Sequence, residues 1–484
     1  MTAAPFTAAV LAPAIPEIAL LALVSGLLVI DLFLEEKDRH RSYWLALAAL
    51  VATAALAAAT TAPAPVVTFS GMFVSDLLSQ VLKVAMLLAV AATLLYSRPY
   101  LEARGMLRGE FLGLALFAAL GMMVMISAHH VLTLYLGLEI LALSLYAAVA
   151  LQRDSAAATE AAMKYFVLGA LASGLLLYGL SMVYGATGTL DIARVAHALG
   201  EARASSTLAV FGLVFVVAGI AFKLGVVPFH MWVPDVYHGA PTPVTLLIGG
   251  APKIAAFGFV MRLLAEGLQG LSADWAQMLA ILAVASLAVG NVVAIAQANL
   301  KRMLAYSTIS HMGFLLLGIL AAGPNGYGSA MFYVITYVLT TLTAFGLVLA
   351  LSRAGFEADR LEDWKGLNRR SRWFAFLMLV VMFSLAGIPP TVGFFAKLAV
   401  LQAALQAGYL WLVVFAVLMS VVGAFYYLRI VKLMYMDEPA GEASVSPRAD
   451  LRWLLSANAM AVLVLGVLPG PLMDLCTRAI AASM

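Results

Sequence analysis

The sequence predicts an all-α polytopic membrane protein. Of its 484 residues, 64% are hydrophobic and only 11% are charged, and the mean hydropathy is +1.01. Apolar stretches fill nearly the whole chain, and about 20 apolar residues are enough to cross a bilayer as a helix. The basic residues fall mainly in the short segments between these stretches, and none of those segments is long enough to form a soluble domain.

About 14 segments are apolar and long enough to be transmembrane helices. They are predicted at 15–34, 42–60, 72–97, 110–127, 130–152, 158–184, 207–227, 241–266, 275–297, 303–322, 328–352, 373–404, 408–434 and 451–474. The first segment resembles a signal peptide, but no Lys or Arg precedes it, so we expect it to be retained. The loop 186–206 is predicted to contain a short interfacial helix around 192–204.

The distribution of Lys and Arg predicts the orientation in the membrane. If the N-terminus is external, the cytoplasmic loops and adjoining helix ends hold 19 of the 28 Lys and Arg. The opposite side holds Arg194, Arg203, Arg262 and Arg478. Because cytoplasmic loops are enriched in basic residues, we expect both termini on the periplasmic side of a bacterial inner membrane.

The residues that usually build redox and nucleotide sites are missing from the sequence. Cys476 is the single cysteine, which excludes an internal disulfide, a Cys-ligated iron–sulfur cluster and a Cys-rich zinc site. No G-x-G-x-x-G or Walker segment lies between a strand and a helix. We therefore expect no cofactor or metal in this chain, and its net charge of +3 gives no indication of a nucleic-acid partner.

Two predicted helices contain helix-breaking residues at similar places. The seventh reads FKLGVVPFH (222–230) and the twelfth reads FSLAGIPP (383–390). Proline clashes with the carbonyl four residues earlier, so Pro228 should free the carbonyl of Leu224. Irregular backbone is tolerated in a membrane only where protein or a water-filled cavity surrounds it, and paired broken helices indicate a transporter site.

The two breaks lie five helices apart, which predicts two five-helix repeats. An odd number of helices reverses the orientation of equivalent helices, so the repeats are expected to be inverted. The predicted divisions are an N-terminal three-helix segment (1–109), a first repeat of helices 4–8 (110–270), a second repeat of helices 9–13 (271–436) and helix 14 (437–484).

Five lysines lie within apolar segments: Lys83, Lys164, Lys223, Lys253 and Lys397. A lysine at the centre of a membrane helix costs about 3 kcal/mol or more, so it usually has a partner, a wet cavity or a function. A row of such lysines together with a buried glutamate is most simply interpreted as a proton path. Lys83 lies outside the proposed repeats, and we assign it a structural role.

Glu139, in the fifth helix, is interpreted as a proton carrier or as the counter-ion of a lysine. The alternative is a carboxylate near the membrane surface. Lys164, in the sixth helix, is the natural partner because short loops place consecutive helices side by side. Lys223 lies beside the break in the seventh helix, where burial favours a neutral amine; the alternative is a lysine that extends to the cytoplasmic surface.

Lys253 and Lys397 are expected to continue the path. Lys253 lies far from the charged loops, whereas Lys397 follows the second break and is expected in the external half as the exit group. His311 is predicted to be either a relay between these lysines or a hydrogen-bonded structural residue.

The segment 230–241 joins the seventh and eighth helices and is rich in Pro, Asp and His. It is predicted to form a rigid cap over a cytoplasmic proton entrance. His230 and His238 lack a third and fourth ligand, so a metal site is not expected there.

These residues resemble the antiporter-like membrane subunits of respiratory complex I over nearly the whole chain. The segment PFHMWVPDVYHGAPTPV (228–244) is similar to a signature of that family, in a form that differs from the PDAH of sister subunits. The segment SLAGIPPTVGFFAK (384–397) is also similar, and it ends in lysine where one sister subunit usually carries glutamate.

The resemblance implies 14 helices with an inverted pair of five-helix repeats, and proton translocation driven by quinone reduction in other subunits. By matching motif, it implies that Glu139, Lys223, Lys253 and Lys397 carry protons and that Lys164 modulates the seventh helix. It further implies that NADH, FMN, iron–sulfur clusters and quinone are bound by partner subunits. The expected partners are other complex I membrane subunits, including neighbouring antiporter-like ones, and membrane lipids.

Two alternatives remain open from the sequence. A sodium/proton antiporter subunit of the Mrp type would share the fold and the groups on helices five and seven, although PDVYHGAP and Lys397 argue against it. A purely structural membrane scaffold would leave five buried lysines without an explanation.

Overall fold

Nearly the whole chain is helical. The computed structural model describes residues 8–35, 38–62, 64–201, 207–439 and 448–484. Thirteen helical segments in these ranges are long and apolar enough to cross a membrane. Two shorter apolar helices, Arg372–Ala386 and Val392–Gln406, are the halves of the predicted twelfth span, so each predicted span has a helical counterpart.

The elements follow one another along the chain as a series of helices with one small hairpin. The helices are α1 (Ala8–Leu11), α2 (Ile15–Asp31), α3 (Arg39–Ala59), α4 (Leu77–Ala103), α5 (Gly109–Ile126), α6 (Val131–Val149), α7 (Ala156–Thr187), α8 (Ile192–Glu201), α9 (Thr207–Leu224), α10 (Trp232–Gly239), α11 (Thr242–Gly249), α12 (Ala251–Val260), α13 (Ser272–Ile295), α14 (Leu300–Leu320), α15 (Pro324–Leu351), α16 (Leu367–Arg370), α17 (Arg372–Ala386), α18 (Val392–Gln406), α19 (Leu410–Tyr435), α20 (Ala449–Val467) and α21 (Gly470–Ser483). Single turns of 3₁₀-helix lie at Ala12–Ala14, Phe69–Gly71, Gln269–Leu271 and Leu361–Trp364, and a π-helix covers Met261–Gly267. The strands β1 (Val66–Thr68) and β2 (Phe73–Ser75) pair antiparallel, with Val67 opposite Val74.

The third span begins later than its apolar sequence predicts. Asp76 caps α4: its Oδ1 atom accepts a hydrogen bond from the Ser79 amide at 2.8 Å, and the Ser79 hydroxyl accepts one from the Asp76 amide at 3.0 Å. Such reciprocal bonds satisfy two amides that the helix leaves unpaired. The three residues before this cap, Phe73–Ser75, form β2. The prediction assigned them to the helix because a short apolar run does not distinguish a strand from a helix.

The predicted break in the seventh span is confirmed at the end of α9. Gly225 has φ +79°, and the amides of Gly225 and Val226 both donate to the carbonyl of Ala221, at 2.9 and 3.0 Å. A left-handed residue after the last helical turn is a common helix end, and glycine adopts it without steric penalty.

The break in the twelfth span has the same construction. Gly387 has φ +83°, and the amides of Gly387 and Ile388 both donate to the carbonyl of Phe383, at 3.0 and 2.9 Å. The similar G-x-x-P sequences at the two places therefore form equivalent ends, of α9 and of α17.

The eighth span contains an interruption that the sequence analysis did not predict. Gly250, with φ −101° and ψ −106°, separates α11 from α12. Pro252 follows in the first turn of α12, where a missing amide hydrogen is tolerated. The run Gly249–Pro252 carried this signal, because adjacent Gly and Pro residues mark interruptions of a helix.

The fourteenth span is shorter than predicted, and the chain continues beyond it in a separate helix. α20 ends at Val467, and α21 packs against α15 and α4. The predicted short helix in loop 186–206 is confirmed as α8; residues 202–206 of that prediction lie outside the described ranges. In the segment between α15 and α17, the Trp364 side chain is fully buried, so this segment packs on the chain's own helices.

Small residues bring the helices that carry the candidate site into close contact. A Cβ atom added at Gly179 of α7 would lie 2.6 Å from the carbonyl oxygen of Gly212 on α9. Likewise, a Cβ atom at Gly121 of α5 would lie 2.7 Å from the carbonyl oxygen of Gly137 on α6. Glycine permits such close approach of backbones between membrane helices. These contacts fix the position of α9 against α7 and of α6 against α5.

We predict that Gly387→Ala destabilises the protein more than Gly408→Ala does. Both glycines have positive φ, of +83° and +88°, so each substitution costs about 1 kcal/mol in backbone strain. A Cβ atom at Gly387 would also lie 2.8 Å from Cδ of Lys397, whereas nothing lies within 4 Å of one at Gly408. The measurement is the thermal unfolding midpoint in detergent micelles. Equal decreases in the unfolding midpoint for the two variants would contradict the close contact between Gly387 and Lys397.

Candidate functional site

The carbonyl that the first break frees is bound by a lysine from another helix. Lys253 of α12 is 2% exposed, and its Nζ atom donates to the carbonyl oxygen of Leu224 at 2.8 Å. Leu224 is the residue whose carbonyl Pro228 was expected to free. Because the C-terminal end of a helix carries partial negative charge, the end of α9 is a favourable site for an ammonium group.

The second break is held by a lysine in the same way. Lys397 of α18 donates from Nζ to the carbonyl oxygens of Leu385 and Ala386 at 3.0 and 2.9 Å. A third bond, of 3.0 Å, goes to the hydroxyl of Ser420 on α19. All three hydrogens of the ammonium group therefore have acceptors, and the group lies at the C-terminal end of α17.

Lys223 and Lys253 line a common cavity. The cavity has a volume of about 30 Å³, and its wall includes Tyr165 and Trp232. One water molecule needs roughly 10–15 Å³ of such volume, so the cavity is large enough for about two, and the two lysines are its charged lining residues. Lys223 is half-buried rather than fully enclosed, and its Nζ lies 5.9 Å from the ring of Phe222.

Glu139 lies on the other side of Lys223. It is half-buried, and one carboxylate oxygen accepts a hydrogen bond from the hydroxyl of Ser173 on α7 at 2.6 Å. Glu139 is also the acidic group that interacts electrostatically with Lys223. The structure thus brings together Glu139, Lys223 and Lys253.

The expected contact between Glu139 and Lys164 is not formed. Lys164 Nζ lies 2.8 Å from Asp235 of α10 and 2.7 Å from Glu160. The reason is geometric: Glu139 lies eight residues after the start of α6, and Lys164 lies eight residues after the start of α7. Consecutive helices run in opposite directions, so these residues lie at different depths.

Asp235 anchors the segment predicted to cap the cytoplasmic end. It accepts a hydrogen bond from Lys164 and another, of 2.6 Å, from Nη1 of Arg302 on α14. Burial raises the pKa of Asp235, but these two bonds outweigh burial, and the net pKa lies below its usual value. Asp235 therefore stays ionised at neutral pH, and the anchoring is lost only in acid. The segment that was predicted to form the cap contains helix α10.

His311 lies in a hydrogen-bonded network on the side of the second break. Its Nδ1 atom is 2.6 Å from the hydroxyl of Tyr333, and its Nε2 atom is 3.2 Å from the hydroxyl of Tyr427. A small cavity of about 10 Å³ beside this ring is also lined by Ser384 and Leu385. Leu385 carries one of the carbonyls that Lys397 binds, so His311 lies close to that lysine.

A row of hydroxyl groups lies between the two lysine sites, and the sequence analysis missed it. The hydroxyl of Tyr337 donates to Oγ1 of Thr308 at 2.8 Å, and the fully buried Tyr237 lies beside the same threonine. A Cβ atom at Gly249, one turn before Lys253, would lie 3.2 Å from the Tyr237 hydroxyl. The pair Tyr333 and Tyr337, spaced four apart on α15, was the available signal.

Lys83 lies apart from this row, as expected for a structural residue. Its Nζ atom is 2.5 Å from Oε1 of Glu17 on α2 and 5.0 Å from the ring centre of Phe73. A buried lysine next to a carboxylate and an aromatic face is compensated locally.

A buried cluster of charged residues at the opposite end of α12 was also missed. Arg262 is 1% exposed; its Nη2 lies 2.8 Å from both carboxylate oxygens of Asp76, and its Nη1 donates to Glu266. Nε of the same group donates to the carbonyl of Ile126, which ends α5. In the prediction of orientation, Arg262 was counted among the four basic residues of the external side.

A second missed cluster surrounds Glu357, in the segment between α15 and α17. It accepts hydrogen bonds from the hydroxyl of Tyr100 at 2.8 Å and from Arg104 at 3.1 Å. Lys301 lies 3.9 Å from it and donates to the carbonyl of Ala240 at 2.8 Å. Lys301 is 2% exposed, so it is a further buried lysine that had been counted among the loop residues.

Within the described ranges, no group of three or more His, Cys, Asp or Glu residues is arranged to hold a metal ion. The candidate site offers amines, an imidazole, a carboxylate and hydroxyl groups, each of which can accept or release a proton.

Comparison with known proteins assigns this arrangement to a family. Residues 128–423 match the family described as NADH:quinone oxidoreductase/Mrp antiporter, TM. The chain belongs to this family of multi-pass membrane proteins. NADH-quinone oxidoreductase subunit N from Thiobacillus denitrificans is 63% identical over 472 residues, which cover 98% of each protein.

Solved structures share the fold. A chain of respiratory complex I from Thermus thermophilus superposes with a TM-score of 0.82 at 33% identity, covering 97% of this chain and 100% of that one. A chain of the Mrp complex from Dietzia sp. gives a TM-score of 0.85 at 23% identity, covering 97% of each. At 23% identity, the similarity to the Mrp complex chain shows a shared fold and nothing further.

We predict that Arg262→Gln destabilises the protein by about 3–5 kcal/mol, since it leaves the carboxylate of Asp76 buried and unpaired. The double variant Asp76→Asn/Arg262→Gln should recover part of this loss, because it removes one of the two carboxylates that Arg262 pairs with and leaves only Glu266 without its partner. Arg478→Gln is the matched control: its side chain is exposed and, among the residues that the structure describes, bonds to the Asp474 carbonyl alone, so about 0.5 kcal/mol or less is expected. The measurement is denaturant unfolding in micelles. A double variant that is less stable than Arg262→Gln would contradict the ion pair between Asp76 and Arg262.

Proposed function

We propose that this chain is the N-type proton-translocating membrane subunit of a respiratory NADH:quinone oxidoreductase. The geometry that carries the proposal is the pairing of each helix break with a buried lysine, at Leu224 by Lys253 and at Ala386 by Lys397. A lysine held only by carbonyls and a hydroxyl, without a carboxylate, can lose its proton without leaving an unpaired anion behind. Such groups are suited to carry a proton rather than a permanent charge.

The path that we propose begins at Lys223. The proton moves from Lys223 to Lys253 through the cavity that both amines line. From Lys253 it continues along the hydroxyl groups of Tyr237 and Tyr337 to His311. Lys397 receives it beside the second break and releases it outward.

Glu139 and Lys164 act on the first step of this path. In the state described here, the carboxylate of Glu139 favours the protonated form of Lys223, because an opposite charge at short range stabilises the ammonium group. Moving Glu139 away from Lys223, or protonating it, releases the proton toward Lys253. We assign Lys164 to holding α10 through Asp235, so that it controls the cap over the cytoplasmic entrance.

The wider assignment follows the same family. We propose that residues 110–270 and 271–436 are inverted repeats, each with one break of the G-x-x-P type. We place both termini on the periplasmic side of a bacterial inner membrane, in accord with the distribution of Lys and Arg. NADH, FMN, iron–sulfur clusters and quinone belong to partner subunits, and neighbouring antiporter-like subunits and lipids cover the apolar faces. Sodium-dependent proton movement without NADH would instead identify an Mrp-type antiporter.

We predict that Lys223→Ala abolishes most NADH-driven acidification of inverted membrane vesicles and lowers NADH:quinone turnover with it. A positioned proton-transfer group contributes about 100-fold or more to the rate of transfer, so a loss of at least about tenfold is expected. Assembly is checked on a native gel, and surface variant Lys432→Ala is the control. Normal pumping and normal turnover in an assembled Lys223→Ala complex would refute the proposed path.

We predict that the double variant Glu17→Gln/Lys83→Met retains acidification and turnover at the level of the unchanged chain. It removes a buried lysine, as Lys223→Ala does, but one that is paired with its own carboxylate and lies outside the path. Replacing both members of a buried ion pair by neutral groups of similar volume is often tolerated. Loss of pumping in an assembled double variant would mean that Lys83 also carries protons.

A further inference from the structure

A pocket with a volume of about 250 Å³ opens where α4 and α15 end and where α17 and α20 begin. This is the side of the molecule that we assign to the cytoplasm. Its wall includes Arg104, Arg353, Arg370 and Arg448, together with the carboxylate of Asp363. We call it the arginine pocket. It is separate from the proton path and has no role in the steps described above.

The positive charge of the arginine pocket is only partly compensated. Arg104 is paired with Glu357 at 3.1 Å, and Arg448 is paired with Glu102 at 2.9 Å. No carboxylate of the described ranges forms an ion pair with Arg353 or Arg370. Arg353 instead lies 5.6 Å from the ring of Phe356.

Arg353 and Arg370 are close enough to repel each other. Burial lowers the pKa of Arg370, and the neighbouring Arg353 lowers it further, whereas the carboxylate of Asp363 raises it; the net pKa lies below its usual value. Two like charges held together at a pocket favour the binding of an anion between them, because the anion removes their repulsion. The two groups approach from opposite ends of the segment between α15 and α17.

Two guanidinium nitrogens at this pocket also lack hydrogen-bond acceptors. Arg104 Nη1 and Arg370 Nε are buried, and neither has an acceptor among the residues that the structure describes. Buried donors are nearly always paired in native proteins. Guanidinium groups match the oxygens of a phosphate with pairs of parallel hydrogen bonds, so a phosphate is the anion best suited to satisfy them.

Apolar residues make up most of the rest of the wall, where α15 ends and α20 begins. They include Phe356, which is 39% exposed, together with Leu351 and Leu451. A wall of this kind gives a free inorganic anion no favourable contact, but it suits the glycerol and first acyl carbons of a lipid. Basic pockets between helix ends on the cytoplasmic side are a known type of site for anionic lipid headgroups.

We propose that the arginine pocket binds the phosphate headgroup of an anionic phospholipid, with its acyl chains along the exposed face of α20, which carries Trp453 and Val464. Arg353 and Arg370 supply the uncompensated charge, and Arg104 supplies a further donor. The lipid would connect the segment between α15 and α17 to the N-terminal end of α20.

The test uses the assembled complex, purified in non-ionic detergent and stripped of lipid, and native mass spectrometry to count bound molecules. The probes are cardiolipin, phosphatidylglycerol, phosphatidylcholine and inorganic phosphate, each added separately. We expect one tight site for the anionic lipids. In Arg353→Gln/Arg370→Gln, their apparent affinity for this site should fall by about tenfold or more, because each basic residue near the surface contributes measurably to such binding.

Arg369→Gln is the matched control. Arg369 precedes Arg370, but its side chain is 63% exposed and paired with Glu438 at 3.6 Å, so its loss should leave lipid binding unchanged. Equal losses in both variants would show general surface attraction and overturn the proposal. Equally tight binding of phosphatidylcholine, or saturation by inorganic phosphate that leaves lipid binding intact, would also overturn it.

A measurement on the unchanged chain covers the case in which the double variant fails to assemble. The complex is reconstituted in nanodiscs of phosphatidylcholine, with or without cardiolipin, and imaged by cryo-electron microscopy. Headgroup density between Arg353 and Arg370 is expected only when cardiolipin is present. An empty pocket in both samples would refute the site.

Discussion

The structure depends on one constraint: a backbone carbonyl released inside the membrane must find a donor within the protein. Both helix breaks release such carbonyls, at the ends of α9 and α17. In each case the donor is a lysine ammonium group, at 2.8 Å for Lys253 and 2.9–3.0 Å for Lys397. The break and the lysine therefore stabilise each other, since the ammonium needs acceptors in an apolar surrounding as much as the carbonyls need a donor.

This arrangement explains how cations persist so deep in the protein without carboxylates beside them. The ends of α9 and α17 present partial negative charge in a fixed direction, which is enough to hold an amine in place whether or not it carries a proton. By contrast, Arg262 and Lys83, which lie outside the path, are paired directly with Asp76 and Glu17. The type of partner thus distinguishes Lys253 and Lys397 from Arg262 and Lys83.

The helices and their breaks were predictable because their signals are local. About 20 apolar residues identify a span, and Gly225 and Pro228 identify the first break within a few positions. The start of α4 and the interruption at Gly250 were missed, although Asp76 and the Gly-Gly-Ala-Pro run gave local signals for both.

The partners of the charged side chains were not predictable, because they lie far apart in sequence. Lys253 and Leu224 are separated by 29 residues, Lys164 and Asp235 by 71, and Arg262 and Asp76 by 186. Adjacency of helices suggested Glu139 as the partner of Lys164, but depth along antiparallel helices decides the contact. The candidate residues of the proposed path and their order could be named from the sequence, whereas the atoms that each of them binds required the fold.

The two lysines differ in what their bonds join, and this difference has a mechanical consequence. Lys253 connects α12 to the end of α9, so it fastens one helix to another. Lys397 belongs to α18 and binds the end of α17, so two of its three bonds join the two halves of a single span, and the third reaches Ser420 of α19. A neutral amine donates a weaker hydrogen bond than an ammonium group. Deprotonation of Lys253 therefore weakens the contact between α12 and α9. Deprotonation of Lys397 weakens the contact between α18 and α17, so this span can bend more easily at its break.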